Sequence, residues 1–426
     1  MCNQPFYRYQ KSAPMRHFTF CRQLLLCSWL VAGATFSQGQ SVDSVAKPAT
    51  PRDYKRLDIF PAISYSPETK LTLGAIGIYY LDLRKGDRGT PLSNIDFLAV
   101  YTLSKQVLLE SRWEVFTHAR VWRTRGELLL QQYPDRNYGI GNDASVLVAE
   151  VDKDGNRETL NYLNYNSNRI KFSPVVLRKI RPNLYVGLQS DLEYVYKYKV
   201  TADQYYFLNA DSALIYDLPI AGLRSGMGFQ ILYDNRDNLI NPLSGTFVEF
   251  NDRHYAKWMG SDYTFSYYSL ELRQYINTWS NQTLALRGLA SLEYTNDAVP
   301  LRALSRVGGH KFIRGYFKGT YQDHHLLAFE AEYRLPLWRE GQPSKLWQVW
   351  KRLGVVGFLG GAEVFQDTKQ LSFSQFNLAA GGGLRILLNP KSRSNIRIDY
   401  AIALRDNSDG PGKRQSGFYF FLGEAF

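Results

Sequence analysis

The sequence predicts an all-β fold: a transmembrane antiparallel β-barrel of about sixteen strands. Two observations carry that expectation. Apolar and polar residues alternate with a period of two over unusually long segments, and the composition combines 30 tyrosines and 24 phenylalanines with only 4 methionines and 3 cysteines.

The alternation is clearest near the C-terminus. Ile396, Ile398, Tyr400, Ile402 and Leu404 share one face, while Asn395, Arg397 and Asp399 share the other, a sorting that only a strand period produces. Leu327, Phe329, Ala331, Tyr333, Leu335 and Leu337 oppose Glu330, Glu332 and Arg334 in the same way. In a third segment Leu184, Val186, Leu188, Leu192, Tyr194, Tyr196 and Tyr198 oppose Gln189, Asp191, Glu193 and Lys197, with the tyrosines gathered at one end as a membrane interface favours. Leu270 and Leu272 against Glu271 and Arg273, Leu109 and Trp113 against Glu110, Arg112 and Glu114, and Leu284 and Leu286 against Arg287 repeat it. Counting such segments gives about sixteen strands, the first near Ile59 to Tyr65 and the last from Ser416 to Phe426. A soluble β-sandwich would show the same period. Its strands are usually about five or six residues long, shorter than these.

Connections alternate in length. Arg181-Pro182-Asn183 and Asn277 to Asn281 are short, whereas about 134 to 168, 199 to 221 and 296 to 325 are long. Short periplasmic turns and long external loops produce this asymmetry.

The N-terminus reads as an address. Arg16, His17 and Arg22 precede the apolar stretch Leu24 to Ala34, and Ala32-Gly33-Ala34 supplies small residues for cleavage, so residues 1–34 are expected to be a secretory signal peptide. Met15 offers an alternative start, and a lipoprotein signal at Cys27 is the competing reading, opposed by the bulky Leu26 before it. All three cysteines, Cys2, Cys21 and Cys27, fall in this segment. A disulfide framework or cysteine-ligated metal in the remainder is thereby excluded. Beyond it no apolar run of about 18 residues occurs, so no helical membrane span is expected. The formal charge of +12 is spread among interleaved acids and bases, without the basic run that a nucleic-acid partner needs.

Four places carry a family resemblance. Phe418-Tyr-Phe420-Phe-Leu422-Gly423-Glu-Ala-Phe426 has the form F-x-F-x-L-G-x-x-aromatic. Gly308-Gly309 is followed by Ile313-Arg314-Gly315-Tyr316, of the form [VI]-R-G-[FY]. Gly354 to Phe365 reads G-V-V-G-F-L-G-G-A-E-V-F, and Asp234-Asn-Arg236-Asp237 is followed by Pro242 and Gly245. Together they resemble the BamA/TamA superfamily of outer-membrane assembly factors, also called the bacterial surface antigen family.

The resemblance implies that the loop between strands 11 and 12 folds into the lumen, where Arg314 pairs with acids on strands 12 and 13. Glu332 matches the strand 12 acid. Gly360 stands where the strand 13 aspartate would be and Glu363 has the wrong parity to replace it, so a lock with one acid is expected: either Glu330 helps, or the loop is held less firmly. Asp234, Arg236, Asp237, Pro242 and Gly245 are expected to form a hydrogen-bonded periplasmic turn. A calcium loop lacks there the glycine and glutamate that an EF-hand requires. Phe418, Phe420, Leu422, Gly423 and Phe426 are implied as a recognition signal for barrel insertion. The resemblance spans Leu57 to Phe426, and the interval from residue 35 to residue 57 is too short for the POTRA domains that family members usually carry, so the chain is expected to be a barrel (58–426) behind a short periplasmic segment (35–57).

Enzyme chemistry has little support. The six histidines, His17, His118, His254, His310, His324 and His325, are scattered, and no G-x-S-x-G elbow occurs. No catalytic residue, metal site or cofactor is assigned. The resemblance implies an outer-membrane location, lipid contact, insertion or translocation of client proteins, and dependence on the barrel assembly machinery for the chain's own insertion. A passive pore or transporter is the alternative suggested by the charged inner face, and a surface antigen or adhesin using the long loops is a third reading.

Overall fold

The structure is a computed structural model. It describes residues 56–426, apart from 67–69, 85–86, 88, 104, 143–145, 152–154, 156, 201–203, 209–218, 280–281, 296, 298, 338–351, 390–392 and 406–413. The expected signal peptide and nearly all of the short periplasmic segment lie outside the described residues.

Sixteen strands form one closed antiparallel barrel in chain order. The first five are β1 (Leu57–Ser66), β2 (Lys70–Leu81), β3 (Ser93–Thr102), β4 (Val107–Phe116) and β5 (Trp122–Asn137). The longest pair follows, β6 (Leu163–Arg181) and β7 (Leu184–Val200), and then β8 (Gly222–Asp234), β9 (Gly245–Tyr255), β10 (Phe265–Trp279) and β11 (Gln282–Thr295). The last five are β12 (His325–Pro336), β13 (Leu353–Phe365), β14 (Asn377–Asn389), β15 (Ser394–Ala403) and β16 (Ser416–Leu422). No described helix is long and apolar enough to cross a membrane. A sheet rolled on itself pairs the backbone groups of the wall without one, except along the sparsely paired junction of β1 and β16.

Alternation decides which way each strand faces. On β15, Arg397 and Asp399 are buried inside while Tyr400 is exposed outside; on β12, Glu330, Glu332 and Arg334 point in while Phe329 and Tyr333 point out. Elsewhere the outer surface is greasy too, with Ile59, Phe97, Leu188 and Leu359 exposed. In water this surface would drive aggregation; against lipid it is the expected coat.

Two expectations are corrected. Tyr198 does not face lipid: Lys197 takes φ 53°, the β6–β7 register slips beside it, and Tyr198 turns inward against Tyr165. The closing strand ends at Leu422 rather than Phe426, because Gly423, at φ 82°, turns the chain. After this turn Ala425 and Phe426 pack against Tyr275 and Ala285 inside the barrel.

The start of β1 and the end of β16 lie at one end with the tight β6–β7 turn, where Asn183 adopts the left-handed φ of 62° that asparagine tolerates. The three longest connections, residues 138–162, 201–221 and 296–324, lie at the other, external end. Part of two of them forms a small sheet there, in which Val148–Val151 pairs with both Arg157–Leu160 and Gln204–Phe207.

Candidate functional site

The β11–β12 connection enters the lumen. Leu301, Val307, Ile313, Arg314 and Tyr316 are all buried, and Ser305–Val307 pairs with Tyr321–Asp323 so that residues 308–319 form a hairpin-like tip. The tip closes through Gly309 N–H donating to the Tyr316 carbonyl at 2.9 Å and Gly319 N–H to the Val307 carbonyl at 2.8 Å. Gly308 sits at φ 102°, and a Cβ there would lie 2.1 Å from the Phe317 carbonyl oxygen. Only glycine fits.

Arg314 reaches two carboxylates from this tip. Its Nη2 meets Glu332 of β12 at 2.5 Å and its Nη1 meets Asp399 of β15 at 2.5 Å, while the guanidinium carbon lies 3.6 Å from the centre of the Phe358 ring. One planar fork thus bridges two walls, a geometry that a single ammonium does not reproduce. Glu332 also pairs with Arg334 at 2.8 Å and lies 3.7 Å from Arg385, which in turn meets Asp399 at 2.6 Å.

The expectation of a single acid is therefore corrected. Asp399 supplies the second carboxylate from β15, whose inward parity was visible in the sequence but whose distance from the loop was not. Gly360 of β13 leaves a gap instead of an acid: a Cβ there would lie 3.1 Å from Ile313 Cδ1 and 3.0 Å from Glu330 Cγ, so the isoleucine of the motif takes the space. Glu330 does not touch the guanidinium but accepts from Ile313 N–H at 3.0 Å and pairs with Arg287 at 3.1 Å. That contact holds the backbone of a residue at the rare φ of 48°. Gly315 N–H donates to the Tyr419 hydroxyl at 3.2 Å, and the Tyr316 hydroxyl donates to the Leu378 carbonyl at 3.0 Å.

A second anchor, which the sequence reading missed, grips the root of the loop from β5. Asp135 lies 3.4 Å from Arg302 and 3.3 Å from Arg306, and accepts from the Tyr165 hydroxyl at 3.2 Å. Because Asp135 and Arg314 anchor to different parts of the wall, the loop spans the lumen as a strut. The only available signal was an acid at inward parity near the external end of β5.

The wall is weakest where its ends meet. Strand β1 pairs with β2 over ten register positions and β15 with β16 over seven, but among the described residues β1 and β16 share one, Tyr65 with Phe420. A family model for the Omp85 superfamily domain matches residues 120–426. The chain belongs to the Omp85 superfamily. Its fold is similar to those of BamA from Haemophilus ducreyi lacking POTRA domains 1–3 (TM-score 0.53, 13% identity, covering 87% of this chain and 70% of that one) and CdiB from Escherichia coli (TM-score 0.55, 9% identity, 89% and 64%). CdiB from Acinetobacter baumannii is similar at TM-score 0.50 and 11% identity, covering 87% of this chain and 60% of that one. This chain therefore spans between about three fifths and seven tenths of those chains. A search of curated proteins finds no match.

The other motif residues of this Omp85 barrel lie at its periplasmic mouth. Asp234 accepts from Arg236 at 2.8 Å and from Arg123 at 3.1 Å. Asp237 accepts from the backbone N–H of Leu243 at 3.0 Å and meets Arg393 of the β14–β15 turn at 2.5 Å. Pro242 is buried, and Gly245, at φ 113°, lets the returning chain pass Arg236: a Cβ there would lie 2.6 Å from the Arg236 Cα. The C-terminal residues split. Phe418 faces lipid, whereas Phe426 sits in the lumen with its backbone oxygen accepting from Arg334 at 3.0 Å, and Glu424 pairs with Arg385 at 2.8 Å.

Beside the loop a chamber of about 800 Å³ opens between β2 and β9, lined by Arg112, Arg125, Lys171, Arg253 and Lys311 together with Asp96, Glu127 and Glu249. His324 meets Glu293 at 2.7 Å, and no cluster of metal-ligating residues occurs among the described residues.

Proposed function

We propose that this Omp85 barrel inserts or translocates other polypeptides at the outer membrane by parting β1 from β16. The single register pair Tyr65–Phe420 carries this reading. Opening the seam would expose two edges that can pair with an incoming strand, and fewer ladder bonds are lost there than at β1–β2 or β15–β16. The loop anchored by Arg314, Glu332 and Asp399 serves in this reading as a permanent internal brace that keeps the rest of the wall round while the seam moves. The turn holding Asp234, Arg236, Asp237, Pro242 and Gly245 braces the periplasmic rim. Phe418, Phe420, Leu422, Gly423 and Phe426 are read by the assembly machinery before closure, since afterwards Phe426 lies inside.

A disulfide between Cys residues at positions 65 and 420 tests the seam. Under oxidising conditions, cells relying on Tyr65→Cys/Phe420→Cys are expected to lose other outer-membrane or secreted proteins to the level seen on depletion, and reductant is expected to restore them. Normal levels with the bond formed would refute a moving seam. The second reading, a passive pore, is favoured by the charged chamber. It predicts steady conductance in a planar bilayer from the unmodified protein, which the loop reading does not.

A further inference from the structure

Which way each backbone group of β1 points follows from one hydrogen bond. The Tyr80 N–H donates to the Arg56 carbonyl at 2.8 Å, and these residues continue the β1–β2 register, in which Leu57 lies opposite Tyr79. Opposed residues of an antiparallel pair alternate between exchanging both bonds and exchanging none, so the even residues of β1 bond to β2. Its odd residues, Leu57, Ile59, Pro61, Ile63 and Tyr65, turn their backbone groups toward the seam.

The same reasoning orients β16. Gly423 N–H donates to the Asn395 carbonyl at 2.7 Å, one step beyond the pair Ile396–Leu422, so the odd residues of β16 bond to β15 and the even ones, Phe418, Phe420 and Leu422, face β1. Tyr65 and Phe420, the one seam pair among the described residues, obey both rules. Carried toward the periplasm, their register sets Ile63 opposite Leu422 and Pro61 opposite Glu424. Neither pair forms.

Pro61 stands inside β1, opposite Ala75 of β2, and its nitrogen carries no hydrogen. By parity the missing donor is a seam donor: the β1–β2 ladder runs through Pro61 unbroken over ten positions. The ring carbon on that nitrogen points at the strand across, where an opposing carbonyl finds no partner. Sheets confine proline to edges and bulges for this reason. Where a proline does fall inside this wall, the ladder breaks. Lys179 N–H donates to the Val121 carbonyl at 2.9 Å, so the even residues of β6 point at β7, and the β6–β7 ladder passes from Phe172–Leu192 to Val175–Gln189 with Ser173 and Pro174 skipped.

We infer that Pro61 is the positioning residue that keeps the seam short: it stops the β1–β16 ladder from extending toward the periplasm, so that β16 leaves the wall at Gly423 and the periplasmic half of β1 stays an unpaired edge. The inference deepens the proposed function and rests on it for the use made of that edge.

Amide hydrogen exchange of the full barrel in nanodiscs, read by mass spectrometry on peptides covering β1 and β16, provides the test. In wild-type protein both are expected to exchange faster than β2 and β15. Pro61→Val, which returns the N–H on a side chain suited to strand and lipid, is expected to slow exchange of β1 and β16 about fivefold, as one added hydrogen bond implies. Pro61→Ala returns the same donor with a smaller side chain and should match it; slowing by valine alone would trace to packing and overturn the assignment. Pro174→Val is the control, expected to protect β6 and β7 and to leave β1 and β16 as they were. Unchanged exchange of β1 and β16 in both Pro61 variants, in barrels that keep their heat-dependent mobility shift, would show that the turn at Gly423 ends the ladder unaided and would overturn the inference. Client delivery is scored separately. Variants with a slowed seam and normal levels of other outer-membrane proteins would leave the role of Pro61 standing and sink the moving-seam function instead.

Discussion

Glu332→Ala is expected to destabilise the barrel by on the order of 3–5 kcal/mol, more than Arg314→Ala does. Three guanidiniums converge on this one carboxylate: Arg314 at 2.5 Å, Arg334 at 2.8 Å and Arg385 at 3.7 Å, and Glu332 is 0% exposed. Its removal leaves these three and Arg397 facing Asp399 and Glu424, with too little negative charge to offset their burial. Loss of Arg314 is milder, because Glu332 keeps Arg334 and Asp399 keeps Arg385. Urea titration followed by the heat-dependent shift in electrophoretic mobility measures the difference. Planar-bilayer recording should show raised conductance for both variants as the loop loosens, with Arg314→Lys in between because one ammonium cannot span both acids. Wild-type conductance in Arg314→Ala and Glu332→Ala alike would show that this cluster does not hold the loop.

The second large effect needs no charge. Gly308→Ala is expected to expel the hairpin tip, and Gly309→Ala to be tolerated far better. Both residues have φ near 100°, so both substitutions carry a backbone strain of about 1–2 kcal/mol. Their surroundings differ. At Gly308 the new Cβ meets the Phe317 carbonyl oxygen at 2.1 Å and its carbon at 2.7 Å, fixed backbone atoms; at Gly309 the nearest atom is Lys318 Cβ at 3.4 Å. Trypsin is the readout, because Lys311 and Lys318 are exposed within the lumen but lie on the folded tip. Wild-type protein and Gly309→Ala should resist cleavage at these lysines while Gly308→Ala is cut. Equal resistance of the two variants would mean that the tip tolerates a rebuilt turn.

Much of this molecule was legible one residue at a time. Parity placed Glu330, Glu332 and Arg334 inside and Phe329 and Tyr333 outside, since a strand offers only two faces and water and lipid sort them. The failures share a cause. Tyr198 was read outward because nothing local announces that Lys197 will take a positive φ. Phe426 was read as the end of a strand because the turn at Gly423 is favoured by the luminal partners Arg334, Tyr275 and Ala285, all distant in sequence.

Sequence alone determined the period of the strands, the inward set of charges and the motif that marks the luminal loop, because each is a property of neighbouring residues. Tertiary structure alone decided who meets whom across the lumen. Asp399 in place of a strand 13 acid, Asp135 gripping the loop root, and a seam of one register pair all depend on how sixteen strands stagger on closing. Closure is a condition on the whole ring, so no local stretch of chain encodes it.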